Sequence, residues 1–461
     1  VFPSDNSNLT SGGISVISPL FSKALKAITA AGVLAGLAGC GANSSGGNNA
    51  SGSDSTVNVE LWHYFSPEQS RPLNEIIQRF MAANPDVQVR AIFQGNPSQL
   101  RQKIDSALVT TPPKVPALAT VYENWTTDYV NRGYLDPFQN YVDTPDGMSA
   151  ADIQDFVTVF RESCTYDNKL VTVPFNKSIY MMYLNMTALR EAGFTTAPQT
   201  LEEYGDAIRR TTQREGNRVR MHGAGIIPMS EAFSSLFLAN GGSFFTVDGR
   251  PNFISEEAVQ VMSFYRELQH PTRHLLVDTS FMSTPFGNER IAMYISTSAS
   301  FPHNVRHSTL PDGSPRFDYV VAPIPAGPSG KDPRYLMQGT NLAIFEANPP
   351  EVRKAAARLI SFLSEPANAA EWVTRAGYMP HRYSMLQQPL MQKAMEDDPA
   401  YALASQLVFD DKGMQEPRIP QWDGFRTEIA TMVDRVINTG ADPTQELQRV
   451  QQTILERLGL N

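Results

Sequence analysis

Between Val57 and Tyr122 the chain alternates strand and helix signals in an order that admits few folds. Val57-Asn58-Val59-Glu60-Leu61-Trp62 puts Val57, Val59 and Leu61 on one face of a strand. Ser66-Pro67 then opens a helix whose apolar residues Leu73, Ile76, Ile77, Phe80 and Met81 share one side, and Asn84-Pro85-Asp86 stops it. Val87, Val89 and Ala91 predict a second strand. Leu100, Ile104 and Leu108 mark a second helix, and Pro116 to Tyr122 a third strand. A β-α-β-α-β order of this kind builds an open sheet covered by helices, an α/β fold. Ligands of such sheets sit beyond the carboxyl ends of the strands. Here those ends read Trp62-His63-Tyr64, Phe93-Gln94-Gly95-Asn96 and Tyr122-Glu123-Asn124-Trp125, aromatic and polar together, which suits a small polar ligand. Further helices are predicted from the capping box at Thr200-Leu201-Glu202-Glu203 and from Ser255 with Val259, Met262 and Tyr265. Val352, Ala356, Leu359 and Leu363 mark another, and Pro443 to Leu458 the last.

The front of the chain reads differently. Lys23 and Lys26 precede a short apolar run, Ala27 to Gly39, which ends in Leu37-Ala38-Gly39-Cys40. A basic region, an apolar region and small residues before a cleavage point make a secretory signal. The last four residues resemble the lipobox of bacterial lipoproteins, in which Cys40 becomes the lipid-bearing first residue. The apolar run is shorter than the ~20 residues that span a bilayer. Gly41 to Thr56 is nearly all Gly, Ser, Asn, Ala and Asp, the composition of a flexible tether. The expected division is 1–39 signal peptide and 40–56 tether, followed by a body of about 400 residues, enough for two domains. The body is expected outside the cytoplasmic membrane, tied to it by lipid.

A net charge of −9 argues against a nucleic-acid binder. Of the two cysteines, Cys40 is assigned to lipid, which leaves Cys164 without an intrachain partner. A semi-buried structural cysteine is the expectation for it, ahead of a nucleophile. His303 and His307 share a helix face, but they lack the Glu and the third ligand of a zinc-peptidase site. Pro271 interrupts the pair His270 and His274. Neither a Gly-x-Ser-x-Gly elbow nor a phosphate loop occurs in the sequence. Two glycosidase carboxylates leave no sequence signal, so a hydrolase is the competing class.

Several segments together carry a resemblance to a known family. They are Trp62-His63, Phe93-Gln94-Gly95-Asn96, Val121-Tyr122-Glu123, Pro174-Phe175-Asn176-Lys177-Ser178, Tyr183-Leu184-Asn185, Leu189-Arg190-Glu191-Ala192-Gly193, Ala370-Glu371-Trp372, Gly377-Tyr378-Met379-Pro380 and Arg418-Ile419-Pro420. In order and spacing they resemble the extracellular solute-binding proteins of ABC importers, in particular the glycerol-3-phosphate-binding branch, relatives of the maltose-binding proteins. The resemblance implies two α/β lobes with a hinge and a ligand cleft between them. Crossings near Pro174, Gln338-Gly339 and Pro380 would give a first lobe of 57–175 and 338–382 and a second of 176–337 and 383–461. It implies a monomer that binds glycerol-3-phosphate, a glycerophosphodiester or a sugar and meets a permease, with no catalysis, cofactor or metal. The implied ligand contacts are Phe93, Glu123, Ser178, Ser298, Gly339, Tyr378 and Arg418. Glu123 would accept from hydroxyls, and Arg418 would fork onto phosphate. One departure stands out. Where the branch carries Gly-Trp-Gln-Gly-Trp, this chain has Gly225-Ile226-Ile227-Pro228-Met229-Ser230. A cleft widened near Ile227 would take a larger ligand, with Trp62, Trp125 and Trp422 as candidate stacking surfaces.

Overall fold

A computed structural model describes residues 56–327, 333–410 and 412–460. The signal and tether segments, with Cys40, lie outside the described residues. The predicted opening alternation is present: β1 (Val57–His63), α1 (Pro67–Ala83), β2 (Val87–Phe93), α2 (Pro97–Leu108) and β3 (Leu118–Val121), followed by α3 (Glu123–Asn131). Ser66 and Asn96 each close a capping box with the glutamine three residues on, and Pro67 and Pro97 stand at the first helical positions. Such caps occupy N–H groups that a helix start otherwise leaves without partners. The third strand is shorter than the sequence implied. Tyr122 turns out to be the N-cap of α3, a helix that the sequence reading missed.

β1 runs parallel to β2 on one side and to β3 on the other. Both faces of this sheet are covered. Leu73, Ile76 and Phe80 of α1 pack with Val59 and Leu61 on one face. Leu100 and Ile104 of α2 pack with Ala119, Val121, Trp125 and Tyr129 on the other. Two-sided covering is what an all-parallel arrangement requires.

Two long strands carry the sheet onward: β4 (Val173–Asn185) and, far later in sequence, β9 (Tyr335–Phe345). Between them in sequence come α4 (Leu201–Thr211), β5 (Arg218–Ile226), α5 (Ser230–Ala239), α6 (Glu256–Gln269), β6 (Leu275–Val277), β7 (Ile291–Thr297) and β8 (Tyr319–Ala322). The strand order is β6-β5-β7-β4-β9-β3-β1-β2, with β8 also on β4. β9 pairs antiparallel with β3 through Asn341–Ile344 and with β4 from Val173 to Ile179. Beyond that point β4 pairs with β7 and β8 instead. The pair β4–β9 is therefore the strip on which the first sheet region passes into the second, and the architecture is the expected two-lobed α/β fold. α7 (Pro350–Ser364) packs on β1 and α8 (Pro366–Ala376) on α1, while α9 (Pro399–Phe409) packs on β8. α10 (Trp422–Thr439) and α11 (Pro443–Leu458) pack with α5 and α6.

At the crossing, the register slips between Thr340 and Asn341. Gly339 has φ +125°, and a Cβ there would stand 1.9 Å from the Asn176 carbonyl oxygen. Only glycine fits both the backbone conformation and the close approach. Cys164 is fully buried and burial pushes its thiol up to about 11, in keeping with a structural role. Among the described residues no helix is long and apolar enough to cross a membrane, and no group of His, Cys, Asp and Glu could hold a metal ion.

The strain at the crossing makes a direct prediction. Gly339→Ala should lower the unfolding free energy by at least about 2 kcal/mol, read in urea melts. A melt unchanged from the parent protein would show that the crossing tolerates a side chain.

Candidate functional site

The carboxyl ends of β1, β2 and β3 converge as expected. His63 and Phe93 are register partners whose rings lie 6.3 Å apart. Tyr64 stacks on Tyr122 at 6.2 Å, and Tyr122 meets Trp125 edge-on at 5.1 Å. Directly beyond this aromatic shelf lies a cavity lined by Tyr122, Glu123 and Asn124 from the start of α3, by Met337 and Gln338 from β9, and by Gln415, Glu416, Pro417 and Trp422. Its empty volume, which includes space open to solvent, is about 270 Å³, a little under the ~300 Å³ at which small-molecule pockets begin.

The walls are unusually rich in buried charge. Glu123 receives Lys177 Nζ at 2.7 Å and Asn341 Nδ2 at 3.2 Å. Lys177 is completely buried, and its ammonium also lies 5.3 Å from the centre of the Phe160 ring. On the other side Arg426 bridges two carboxylates: it donates to Glu231 and, at 2.9 Å, to Glu416. Glu231 also accepts from Gln338 Nε2 at 3.0 Å and from the Ser230 hydroxyl at 2.8 Å. Burial works against ionisation of Glu231, but Arg426, Gln338 and Ser230 prevail and hold its carboxyl below the usual range. Glu416 goes the other way. Burial, reinforced by the neighbouring Glu231 charge, pushes it up to about 7 against the pull of Arg426.

Glu416 and Trp422 turn their polar atoms toward each other on the cavity wall, while Gln415 Nε2 on the wall and Asn341 Oδ1 beside Glu123 are buried without a hydrogen bond. Leaving one such group unpaired costs about 1–3 kcal/mol, and a polar ligand would supply the missing partner of Gln415.

A separate tie lies beside the cavity. The Asp423 carboxylate, in the first turn of α10, accepts from Asn124 Nδ2 at 2.6 Å and Trp125 Nε1 at 3.2 Å, and it also pairs with Arg101 of α2.

The residues picked from sequence divide accordingly. Glu123 and Trp422 line the cavity, and Trp125 supports its rim through Asp423. Ser178 is buried next to the crossing, its hydroxyl 3.5 Å from the Gln338 carbonyl oxygen. Gly339 serves the approach of β9 to Asn176. Phe93 is 58% exposed at the end of β2. The remaining five do not line the cavity, though Tyr378 reaches Tyr64 of the aromatic shelf. Ser298 is fully buried and its hydroxyl accepts from the Ile179 N–H at 3.2 Å, a structural tie. Tyr378 packs edge-on to Phe65 and against Trp372, and its hydroxyl accepts from Gln69 at 3.1 Å. Trp62 is half-buried on β1 with its indole N–H toward Glu60. Ile227 is half-buried against the core just beyond β5. The Arg418 guanidinium is spent on the carbonyls of Glu162 and Thr165, both at 2.8 Å, over the Tyr166 ring. Arg426, eight residues further on, is the arginine next to the cavity.

Arg426, Glu416, Glu231 and Gln338 were not singled out as site residues by the sequence reading. Their pairing is tertiary, and no local spacing announces it. The hint available was Lys177 beside Ser178, a cation in a segment otherwise reading as a buried strand.

The raised Glu416 carboxyl sets a pH dependence. Between its ordinary range near 4.5 and about 7 the native state holds a proton that the unfolded chain has released, so this group makes stability fall as pH rises through that window. The charged and titratable groups that act on it are Arg426 and Glu231, then Glu123 and Tyr180, and the Trp422 indole bonds to it. Glu416→Gln cannot lose the proton, so its Tm advantage over the parent protein should grow from about pH 5 to about pH 8. A difference flat with pH would show that Glu416 ionises normally.

Known proteins share this architecture. A family model for the bacterial extracellular solute-binding proteins matches residues 75–402. The sn-glycerol-3-phosphate-binding periplasmic protein UgpB of Salmonella paratyphi A is 24% identical over 414 residues, covering 87% of this chain and 91% of that protein. The crystal structure of UgpB from Mycobacterium tuberculosis in complex with glycerophosphocholine superposes with a TM-score of 0.74 at 21% identity, covering 87% of this chain and 99% of the other. The GacH receptor of Streptomyces glaucescens GLA.O, solved unliganded and with acarbose, gives 0.74 at 17% identity, covering 87% and 97%.

Proposed function

This chain belongs to the bacterial extracellular solute-binding proteins, and we propose that it is the ligand-capturing subunit of an ABC importer. It takes glycerol-3-phosphate or a glycerophosphodiester into the cavity beside β4 and β9, and hands it to a membrane permease without changing it chemically. The observation that carries this reading is a narrow cavity walled by buried and half-buried polar and aromatic side chains, Glu123, Gln338, Gln415, Glu416, Tyr122 and Trp422, at the strip where the two sheet regions meet. A catalytic site would need a nucleophile or an acid–base pair facing free space. Here the buried cations are all committed to carboxylates.

Lobe one would comprise 57–175 and 338–382, and lobe two 176–337 and 383–461, with motion about β4 and β9. Closing two lobes over a ligand is a known hinge mechanism. A second reading is the same role for a disaccharide or oligosaccharide. Tyr122, Trp125 and Trp422 around the cavity favour it, as does the absence of an unpaired arginine or lysine among its lining residues. Lipid on Cys40 would hold the protein at the outer side of the membrane as a monomer.

A thermal-shift and fluorescence screen with glycerol-3-phosphate, glycerophosphocholine and maltose tests the capture reading. A true ligand at 100 times its Kd adds about 2.7 kcal/mol of stability, and small-angle scattering should show a smaller radius of gyration when it is bound. No shift with any of the three would count against both readings. The anchor is tested separately. Cys40→Ser should release the protein from the membrane fraction or leave an unprocessed precursor, and a variant processed and retained like the parent would remove the lipid from the account.

A further inference from the structure

One wall of the cavity is a stretch of chain with no helix or strand of its own. Gly413 and Met414 pair with Tyr335 and Leu336 at the start of β9. Between them and α10 runs Gln415 to Gln421, which supplies Gln415, Glu416 and Pro417 to the cavity. Among the described residues, no main-chain N–H from Gln415 to Gln421 donates to a main-chain carbonyl. Pro417 and Pro420 have no N–H to donate. A segment held so lightly opens at low cost, and side chains decide where it lies. Glu416 ties it to α10 by accepting from Arg426 at 2.9 Å.

Arg418 ties the other side. Its Nη1 donates to the carbonyls of Glu162 and Thr165, both at 2.8 Å, and its guanidinium lies 5.2 Å from the centre of the Tyr166 ring. The Arg418 carbonyl also stands 3.2 Å from the Thr127 hydroxyl of α3. Glu162 belongs to the last turn of a short helix, Thr158–Ser163, where basic side chains commonly meet the final carbonyls. These acceptors are firmly placed. Cys164, between them, is fully buried, and its carbonyl accepts from the Val171 N–H at 2.9 Å. None of Arg418, Glu162, Thr165 and Tyr166 lines the cavity.

Resting on the transport reading above, we propose that residues 413–421 form a strap that closes the cavity, and that Arg418 is the positioning residue that fastens it to lobe one. A ligand passes on this side only after the Nη1 bonds to Glu162 and Thr165 have broken. The clamp is made wholly of protein groups, so it holds the strap with the cavity filled or empty. Weakening it speeds passage in both directions and leaves the balance between them nearly alone, because a change equal in two states shifts no equilibrium between them.

Stopped-flow fluorescence with sn-glycerol-3-phosphate and with maltose tests this on the parent protein, Arg418→Ala, Arg418→Lys and Tyr166→Leu. In Arg418→Ala the association and dissociation rates should both rise about three- to tenfold, the worth of one net hydrogen bond, while Kd changes by less than about twofold. Arg418→Lys still reaches a carbonyl but lacks the flat face that lies on Tyr166, so its rates should fall between. Tyr166→Leu removes the stacking partner and should raise both rates by a smaller factor. A thermal melt of each variant confirms that the fold is retained. A direct phosphate contact would instead raise Kd for glycerol-3-phosphate alone. That result, or parental rates in Arg418→Ala, would overturn the proposal while leaving the transport reading intact. A second readout needs no ligand. In a Cys40→Ser background, with Cys164 buried, the thiol of Gln415→Cys should react with a water-soluble thiol reagent at least about threefold faster once Arg418→Ala is added. An unchanged labelling rate would overturn the strap. Binding of neither probe by the parent would overturn the transport reading, and labelling alone would then decide whether Arg418 fastens this segment.

Discussion

The antiparallel pairing of β4 with β9 is the constraint on which the other features rest. Its residues are about 160 apart in sequence, so joining them closes a very long loop, and the closure is repaid only through burial. Every residue of β4 and nearly all of β9 are buried. Because β3 pairs β9 on one side while β7 and β8 pair β4 further along, the two sheet regions are continuous through this strip alone. The strip also delivers Gln338 of β9 to the cavity wall, and behind the wall Lys177 of β4 and Asn341 of β9 hold Glu123.

Burying a lysine and three glutamates at that place carries a desolvation cost of several kcal/mol per ion before pairing. A chain selected only for stability would fill the space with apolar side chains. The network is satisfied on its far side, where Arg426, Gln338 and Ser230 hold Glu231. On the capture reading, buried polar groups kept at this cost are what recognition of a ligand would require.

The sequence made the scaffold legible where local chemistry decides. Thr200 announced its helix by a capping box, Ser66-Pro67 marked the start of α1, and Val59 and Leu61 announced their strand by alternation. The helix Pro443–Leu458 was read to the residue. The candidate cavity was legible only in part. Glu123 and Trp422, which line it, stand where strand ends and aromatic residues are visible locally. Arg418 and Arg426 lie near each other, and spacing cannot tell which guanidinium meets a carbonyl and which a carboxylate. Tyr378 and Ser298 have chemistry suited to a ligand but spend it on Gln69 and on the Ile179 backbone. Whether a hydroxyl is free depends on tertiary neighbours that no periodicity encodes.

The tie at Asp423 bears on time rather than on affinity. One carboxylate gathers Asn124, Trp125 and Arg101, and these bonds must break together before the wall formed by α3 can part from α10. Escape of a captured molecule would then be slowed by a contact that the molecule itself never touches. Asp423 and Arg101 are both partly open to solvent, so dissolved salt weakens the clasp. On the capture reading, residence time would then follow the ionic strength of the surrounding medium.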